Sequence, residues 1–286
     1  MSPNQFKLVE CPRDAMQGLH DFVPTALKSE YLNLLLQVGF DTLDFGSFVS
    51  PKAIPQMADT AAVLANLDLS NTETKLLAIV ANLRGVEAAI RHEEINYLGF
   101  PFSISETFQQ RNTNSSITQS LNTVEEMLAL CVKKNKEAVV YLSMGFGNPY
   151  GDEWNYEIVE QWADVLVNKG VGILSLADTV GVSTPKKIES ILPKLISRFA
   201  NTEIGIHLHS TPAQRFEKIT AAYNSGVKRI DSALKGFGGC PMAADNLTGN
   251  IATEDVISFL NAQGESLYLN MDKWNEAMAL SGRIFG

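Results

Sequence analysis

The chain is poor in cysteine, in basic charge and in long apolar runs. Its three cysteines (Cys11, Cys131 and Cys240) are too few and too scattered for a disulfide framework or a zinc–thiolate cluster. Lys and Arg total 23 against 32 Asp and Glu, a formal net charge of −9, and no basic run interrupts the deficit. The electrostatic footprint of a nucleic-acid or anionic-membrane binder is therefore missing. The longest apolar stretches, such as Val171 to Ala177, are strand-sized, well short of the roughly 20 residues that a membrane span requires. A strand-like segment begins at Phe6, leaving no room for a signal or transit peptide, and the terminal Arg283-Ile284-Phe285-Gly286 is no peroxisomal address. On these grounds a cytoplasmic location is expected. No Ser/Gly/Pro-rich linker or change of composition divides the chain, so a single domain over 1–286 is expected as well.

What is present is a 286-residue chain, 45% hydrophobic and 19% charged, able to bury a large core. Short runs rich in β-branched residues alternate with longer amphipathic stretches. Strands are predicted at Phe6–Cys11, Thr42–Phe45, Leu76–Val80, Glu94–Leu98, Ala138–Ser143, Gly172–Ala177, Glu203–His207 and Arg229–Ser232. Between them, apolar residues recur at helical spacing, as in Tyr31, Leu34, Leu35 and Val38, or Val159, Trp162, Ala163 and Leu166. Gly39, Gly170 and Gly226 fit helix C-termini that turn directly into the next strand. Eight βα units in this length predict a closed (β/α)8 TIM barrel of the α/β class. An open doubly wound sheet fits less well, because Cys11-Pro12-Arg13-Asp14 lacks a Gly-rich phosphate turn.

In such a barrel the residues just after each strand converge on one face. Those positions carry Glu10, Arg13, Asp14 and Gln17; Asp44 and Ser47; Ser143; Asp178 and Thr179; His207 and His209; and the stretch from Lys235 to Asn250. The sharpest local signal is His207-Leu208-His209. Two histidines at i and i+2 on an extended segment point to one side and can present ring nitrogens to one ion. An isolated pair of this kind more often caps a strand by hydrogen bonding; its place at a barrel strand end shifts the balance toward metal. Asp14 adds a hard anionic oxygen, and an amide such as Asn250 a further one, although Gly249-Asn250 also reads as a helix N-cap. That donor set suits Mg²⁺ or Mn²⁺ with open positions for substrate. Arg13 either pairs with a carboxylate or stabilises a developing oxyanion. Gly236-Phe237-Gly238-Gly239-Cys240-Pro241 suggests a loop that closes a thiol over a ligand. Cys11, Cys131, Trp154, Trp162 and Trp274 read as packing residues.

Val9-Glu10-Cys11-Pro12-Arg13-Asp14, Ser47-Phe48-Val49-Ser50-Pro51-Lys52, Asp178-Thr179-Val180-Gly181, the histidine pair and Gly236 to Pro241 through Gly249 to Asp255 resemble the 3-hydroxy-3-methylglutaryl-CoA lyases. The match runs in the family's order over nearly the whole chain. The Arg-Asp and histidine-pair elements are shared by a wider group of metal-dependent TIM barrels that make or break carbon–carbon bonds. The Ser-Phe-Val-Ser-Pro-Lys stretch and the Gly-Gly-Cys-Pro loop are more specific to the lyases.

The resemblance implies that Asp14, His207, His209 and Asn250 bind a divalent ion, Mg²⁺ or Mn²⁺. It implies that Arg13 stabilises an enolate and that Cys240 is the loop thiol that delivers or relays a proton. Glu10, Gln17, Asp44, Ser143, Asp178, Thr179 and Glu254 would support the site or touch substrate. The implied reaction cleaves 3-hydroxy-3-methylglutaryl-CoA to acetyl-CoA and acetoacetate, as in leucine degradation and ketone-body formation. The initial base stays open among Asp14, a metal-bound water and His207. The implied partner is a small acyl-CoA, without nucleic acid or membrane, and homodimers are the default assembly for such enzymes.

The chain departs from the family pattern in four places. Glu10 lies one residue nearer Arg13, and Asp44-Phe45-Gly46 replaces Glu-Thr-Thr. Ser210-Thr211-Pro212 replaces Asp-Thr-Tyr, and the stretch from Cys240 to Asn250 is one residue longer. These departures leave a close acyl-CoA analogue, a related condensing enzyme, a 4-hydroxy-2-ketoacid aldolase and an inactive binding subunit as alternatives.

Overall fold

The computed structural model describes residues 6–239 and 248–286. Eight parallel strands close into a barrel in sequence order. They are β1 Lys7–Glu10, β2 Thr42–Ser47, β3 Lys75–Ile79, β4 Ile95–Ser103, β5 Glu137–Ser143, β6 Ile173–Asp178, β7 Glu203–Leu208 and β8 Arg229–Ser232. Closure is made by β8 on β1, with Val9 opposite Asp231 and Glu10 opposite Ser232.

Outside run α1 Pro12–Gln17, α2 Thr25–Val38, α3 Thr60–Leu64, α4 Leu83–Ala89, α5 Glu106–Thr113, α6 Ile117–Lys133, α7 Tyr156–Asn168, α8 Pro185–Arg198, α9 Arg215–Asn224, α10 Thr253–Ala262 and α11 Met271–Phe285. The predicted helical stripes face inward: Tyr31, Leu35 and Val38 are buried, as are Val159, Ala163 and Leu166. Gly39, Gly170 and Gly226 all take φ near +90 to +100° (93°, 102° and 88°), the left-handed turn that ends a helix and that a Cβ would penalise.

One expectation is corrected by the fold. The fourth strand runs on to Ser103, five residues past Leu98. Gly99 and Pro101 look like breakers in sequence. Pairing with β3 stops at Gly99, however, while pairing with β5 continues to Ser103, so β4 has a free edge where Pro101 sits. The extension carries Pro101 to the barrel mouth.

Strand alternation sends Leu77, Ile79, Tyr97, Val139, Tyr141 and Ile173 into the barrel interior, where they form their own apolar cluster. The same parity sends Arg229 and Asp231 of β8 inward. At the N-terminal end, ion pairs of Lys7 with Glu203 and of Arg229 with Glu203 and Asp41 close the barrel. The C-terminal end stays open.

Candidate active site

At the C-terminal mouth lies a cavity of about 460 Å³. Arg13, Asp14 and Gln17 line it from α1, His207 from β7, His209 from just after it, and Ser143, Thr179 and Ser47 from the ends of β5, β6 and β2. Val49, Ser50, Ala53 and Ile54, from the stretch after β2, form one wall.

Pro12 opens α1 at its first turn, where a missing N–H costs nothing, and one helical turn then gathers Arg13, Asp14 and Gln17. Arg13 Nε donates to Asp44 at 3.1–3.2 Å and Nη2 donates to Asp44 Oδ2. Its Nη1 donates to Asp14 Oδ1 at 3.1 Å and to Gln17 Oε1 at 2.9 Å. A guanidinium has five N–H bonds. Four are directed at these partners, leaving one Nη2 hydrogen on the cavity-lining side chain. The shorter acid at 44 still makes the fork, from a strand that bulges between Asp44 and Gly46. A Cβ at Gly46 would fall 2.5 Å from Thr60, so glycine there lets α3 pack against the bulge.

The two histidine rings stand 5.2 Å apart with their Nε2 atoms separated by 3.3 Å. His209 Nδ1 lies 3.0 Å from the Thr179 carbonyl, an acceptor alone, so Nδ1 carries the proton. His207 Nδ1 lies 3.3 Å from Asp231 Oδ2. Both neutral tautomers then turn an Nε2 lone pair toward the same point, and Asp14 offers a carboxylate oxygen within 4.8 Å of each.

Asn250 spends both amide hydrogens, on Asp14 Oδ2 at 2.6 Å and on the Phe237 carbonyl at 2.8 Å. Its buried Oδ1 has no hydrogen-bond partner among the described residues. Two facing lone pairs, a carboxylate and an orphaned amide oxygen fit a hard divalent cation. Asn250 is held by an antiparallel bridge to His209, not by a helix cap, since α10 begins at Thr253 behind Ala252. Gly238, at φ +95°, packs so tightly that a Cβ would lie 2.7 Å from the Asp14 carbonyl and 2.8 Å from Asn250 Nδ2.

The electrostatics follow from burial and charge. Burial alone would raise Asp14, but Arg13, then His207, His209 and the Asn250 amide, bring it down to about 2. Burial, and then the charge of His207, lowers His209 to about 4, which keeps its ring neutral at physiological pH. Burial pulls His207 down too, but the Asp231 hydrogen bond and charge outweigh it and raise the ring above its ordinary value. Burial lifts Asp44 to about 6 against the pull of Arg13. The Cys11 thiol is pushed well up by burial and by Asp231, Asp44, Asp14 and Glu10 around it.

The remaining sequence candidates stand behind the cavity. Asp178 accepts from Val182 N, Ser183 N and Lys218 Nζ, at 2.8, 3.1 and 3.1 Å, and shapes the turn that carries Thr179. Glu10 joins Leu234 N and Thr253 Oγ1, and Glu254 accepts from Lys235 N; neither lines the cavity. Cys240 lies outside the described residues. Cys131 is buried on α6, as expected. Cys11 is buried too and packs with Val9, Ala15 and Ala233 as expected, and its sulfur also lies within 4.8 Å of His207 and Asp231, beneath the cavity.

In sequence, Asp231 stands out only as part of the strand Arg229–Ser232. The signal was available in Arg229-Ile230-Asp231, two charges at period-2 spacing in a segment otherwise read as buried. Asn82 and Arg111, which also line the cavity, carried no such signal.

Residues 6–280 match the HMGL-like family model. A cytoplasmic 3-hydroxy-3-methylglutaryl-CoA lyase of Rattus norvegicus is 34% identical over 96% of this chain and 80% of its own length. The solved HMG-CoA lyase of Bacillus subtilis superposes with a TM-score of 0.91 at 30% identity, covering 99% of this chain and 94% of that one. An HMG-CoA lyase from Acinetobacter baumannii, solved with coenzyme A and 3-methylmalate, gives a TM-score of 0.91 at 27% identity, covering 99% and 92%.

Proposed function

The chain belongs to the HMGL-like family, and from that premise we propose that it is a carbon–carbon lyase cleaving 3-hydroxy-3-methylglutaryl-CoA to acetyl-CoA and acetoacetate. The observation that carries the reading is the convergence of Arg13, Asp14, His207, His209 and Asn250 at one barrel mouth, with an orphaned amide oxygen and two facing imidazole lone pairs. Asp14, His207, His209 and Asn250 would hold the divalent cation, Mg²⁺ or Mn²⁺ by the hardness of the oxygen donors. When bound, that cation supplies Lewis-acid chemistry, lowering the cost of removing the proton from the substrate's tertiary hydroxyl.

This chain's own residues account for the rest. Asp44 and Gln17 lock the Arg13 guanidinium, so its free Nη2 hydrogen is aimed before substrate arrives. As the bond beside the tertiary carbon breaks, negative charge grows on the thioester oxygen, and a fixed guanidinium stabilises it without reorganising. Asp14, lowered to about 2 and accepting from three donors, is a poor base, and a His207 ring that holds the cation through Nε2 with its proton on Nδ1 has no lone pair left to take one. Cys240, by its place after Gly238 and Gly239, would return a proton to the enolate carbon.

Val49, Ala53 and Ile54 give the cavity an apolar wall, and Arg111 supplies a cation on a cavity-lining helix. These suit an acyl-CoA, which presents an apolar thioester arm and phosphates. The same lining gives no observation in favour of the condensing or aldolase alternatives.

The test is a coupled assay of purified protein with 3-hydroxy-3-methylglutaryl-CoA and Mg²⁺ or Mn²⁺. Release of acetyl-CoA and acetoacetate in equal amounts, abolished by EDTA, is expected. A folded, metal-loaded protein that releases neither product would overturn the proposal.

A further inference from the structure

The floor of the site holds a second donor cluster. Cys11 Sγ, a ring nitrogen of His207 and a carboxylate oxygen of Asp231 all lie within 4.8 Å of one another; Cys11 and Asp231 are buried and His207 is partly buried. Asp231 Oδ1, a buried oxygen, has no hydrogen-bond partner among the described residues. Among the described residues the Cys11 thiol's one hydrogen-bond contact is a long one to the Val9 carbonyl, at 3.9 Å.

We propose that Cys11, His207 and Asp231 form an alternative site for a thiophilic divalent cation of the zinc or cadmium class, which competes with the hard cation for His207. The proposal rests on the reading of Asp14, His207 and His209 as the hard-cation site. Sulfur, imidazole nitrogen and carboxylate oxygen are the ligand types that such ions accept together. On coordination the Cys11 sulfur gives its proton to solvent, and one thiolate and one carboxylate balance the two positive charges.

Competition arises from the tautomer of a single ring. Hard-cation binding uses the Nε2 lone pair and keeps the proton on Nδ1, beside Asp231. A cation at Nδ1 requires the proton on Nε2 and removes that lone pair from the upper site. A neutral imidazole has one lone pair, so the two sites cannot both be filled through it.

The probe is Cd²⁺ added to Mn²⁺-loaded protein carrying Cys240→Ser, so that the loop thiol contributes no signal. The expected result is a cadmium–thiolate absorption band corresponding to one thiolate per chain, rising in step with release of Mn²⁺ followed by electron paramagnetic resonance. Adding Cys11→Ala or, as a second variant, Cys11→Ser should abolish the band while Mn²⁺ still binds. Displacement of Mn²⁺ without a thiolate band, or a band that survives both Cys11 variants, would overturn the proposal. Failure of the parent protein to bind Mn²⁺ would instead sink the hard-cation reading, and the cadmium band would still decide the second site.

Discussion

Arg13 concentrates the chemistry at the residue scale. Its side chain is 10% exposed, sandwiched between Asp44 and Asp14, and four of its five N–H bonds are already engaged. Arg13→Met should bind Mn²⁺ with near-parental affinity yet lose about 10²- to 10³-fold in kcat, the scale seen when one donor to a developing oxyanion is removed. Asp44 tolerates the loss, since burial already lifts it to about 6 and without the guanidinium it protonates. Parallel measurements of turnover and of Mn²⁺ binding check this, and near-normal kcat would remove Arg13 from the mechanism. The Arg-Asp pair and the histidine pair were legible in sequence because local spacing alone puts each on one side. Asp231 and Cys11 were not, since neither shows its neighbours until the barrel closes.

At the scale of elements, the site is assembled by ties between strands and the segments that follow them. Glu10 at the end of β1 fastens Leu234 and Thr253 beyond β8, and burial raises it to about 8 against both hydrogen bonds. At neutral pH the carboxyl is therefore protonated, with the Thr253 hydroxyl free to turn toward Ser232 Oγ at 2.8 Å.

A folded-state value above the ordinary 4.5 means that the folded protein binds the proton more tightly than the unfolded chain. Glu10's contribution is whole below about 4.5 and declines as pH rises toward about 8. The stability of Glu10→Gln relative to the parent should thus rise between those values and level off above them. Thermal melts across that range measure it, and a pH-independent difference would contradict it.

Behind β6, Lys218 on α9 binds Asp178 Oδ2 at 3.1 Å and the His209 carbonyl at 2.8 Å, with both side chains essentially inaccessible. Lys218→Met would leave a buried carboxylate without its cation. The expected loss is about 3–5 kcal/mol of stability, read from denaturant unfolding; a change within error would show that Ser183 and the backbone N–H groups suffice for Asp178.

At the scale of the whole molecule, the proposed cation donors Asp14, His207, His209 and Asn250 sit on α1, on β7, just after it and before α10, so an ion bound there would link the first and last thirds of the chain. Such an ion binds the folded state alone and should stabilise it by about 2.7 kcal/mol at a free concentration 100-fold above its Kd. Mn²⁺ should raise the Tm by several degrees over an EDTA control, and His209→Ala should remove most of that rise. An equal rise in both proteins would place the binding elsewhere. Among the described residues no helix is long and apolar enough to cross a membrane.

The eight-fold alternation of β-branched runs and amphipathic stretches was determined by the sequence alone, because periods of 2 and 3.6 residues are local properties of the chain. So were the glycine turns into the strands, Gly39, Gly170 and Gly226. The tertiary structure decided what depends on closure: that β4 continues through Pro101 along its one paired edge, and that the shorter Asp44 reaches Arg13 from a bulged strand. It also decided that Asn250 pairs with His209 instead of capping a helix. Most of all it set Cys11, from the first strand's end, against Asp231 in the last, a contact between residues 220 positions apart that no local pattern encodes.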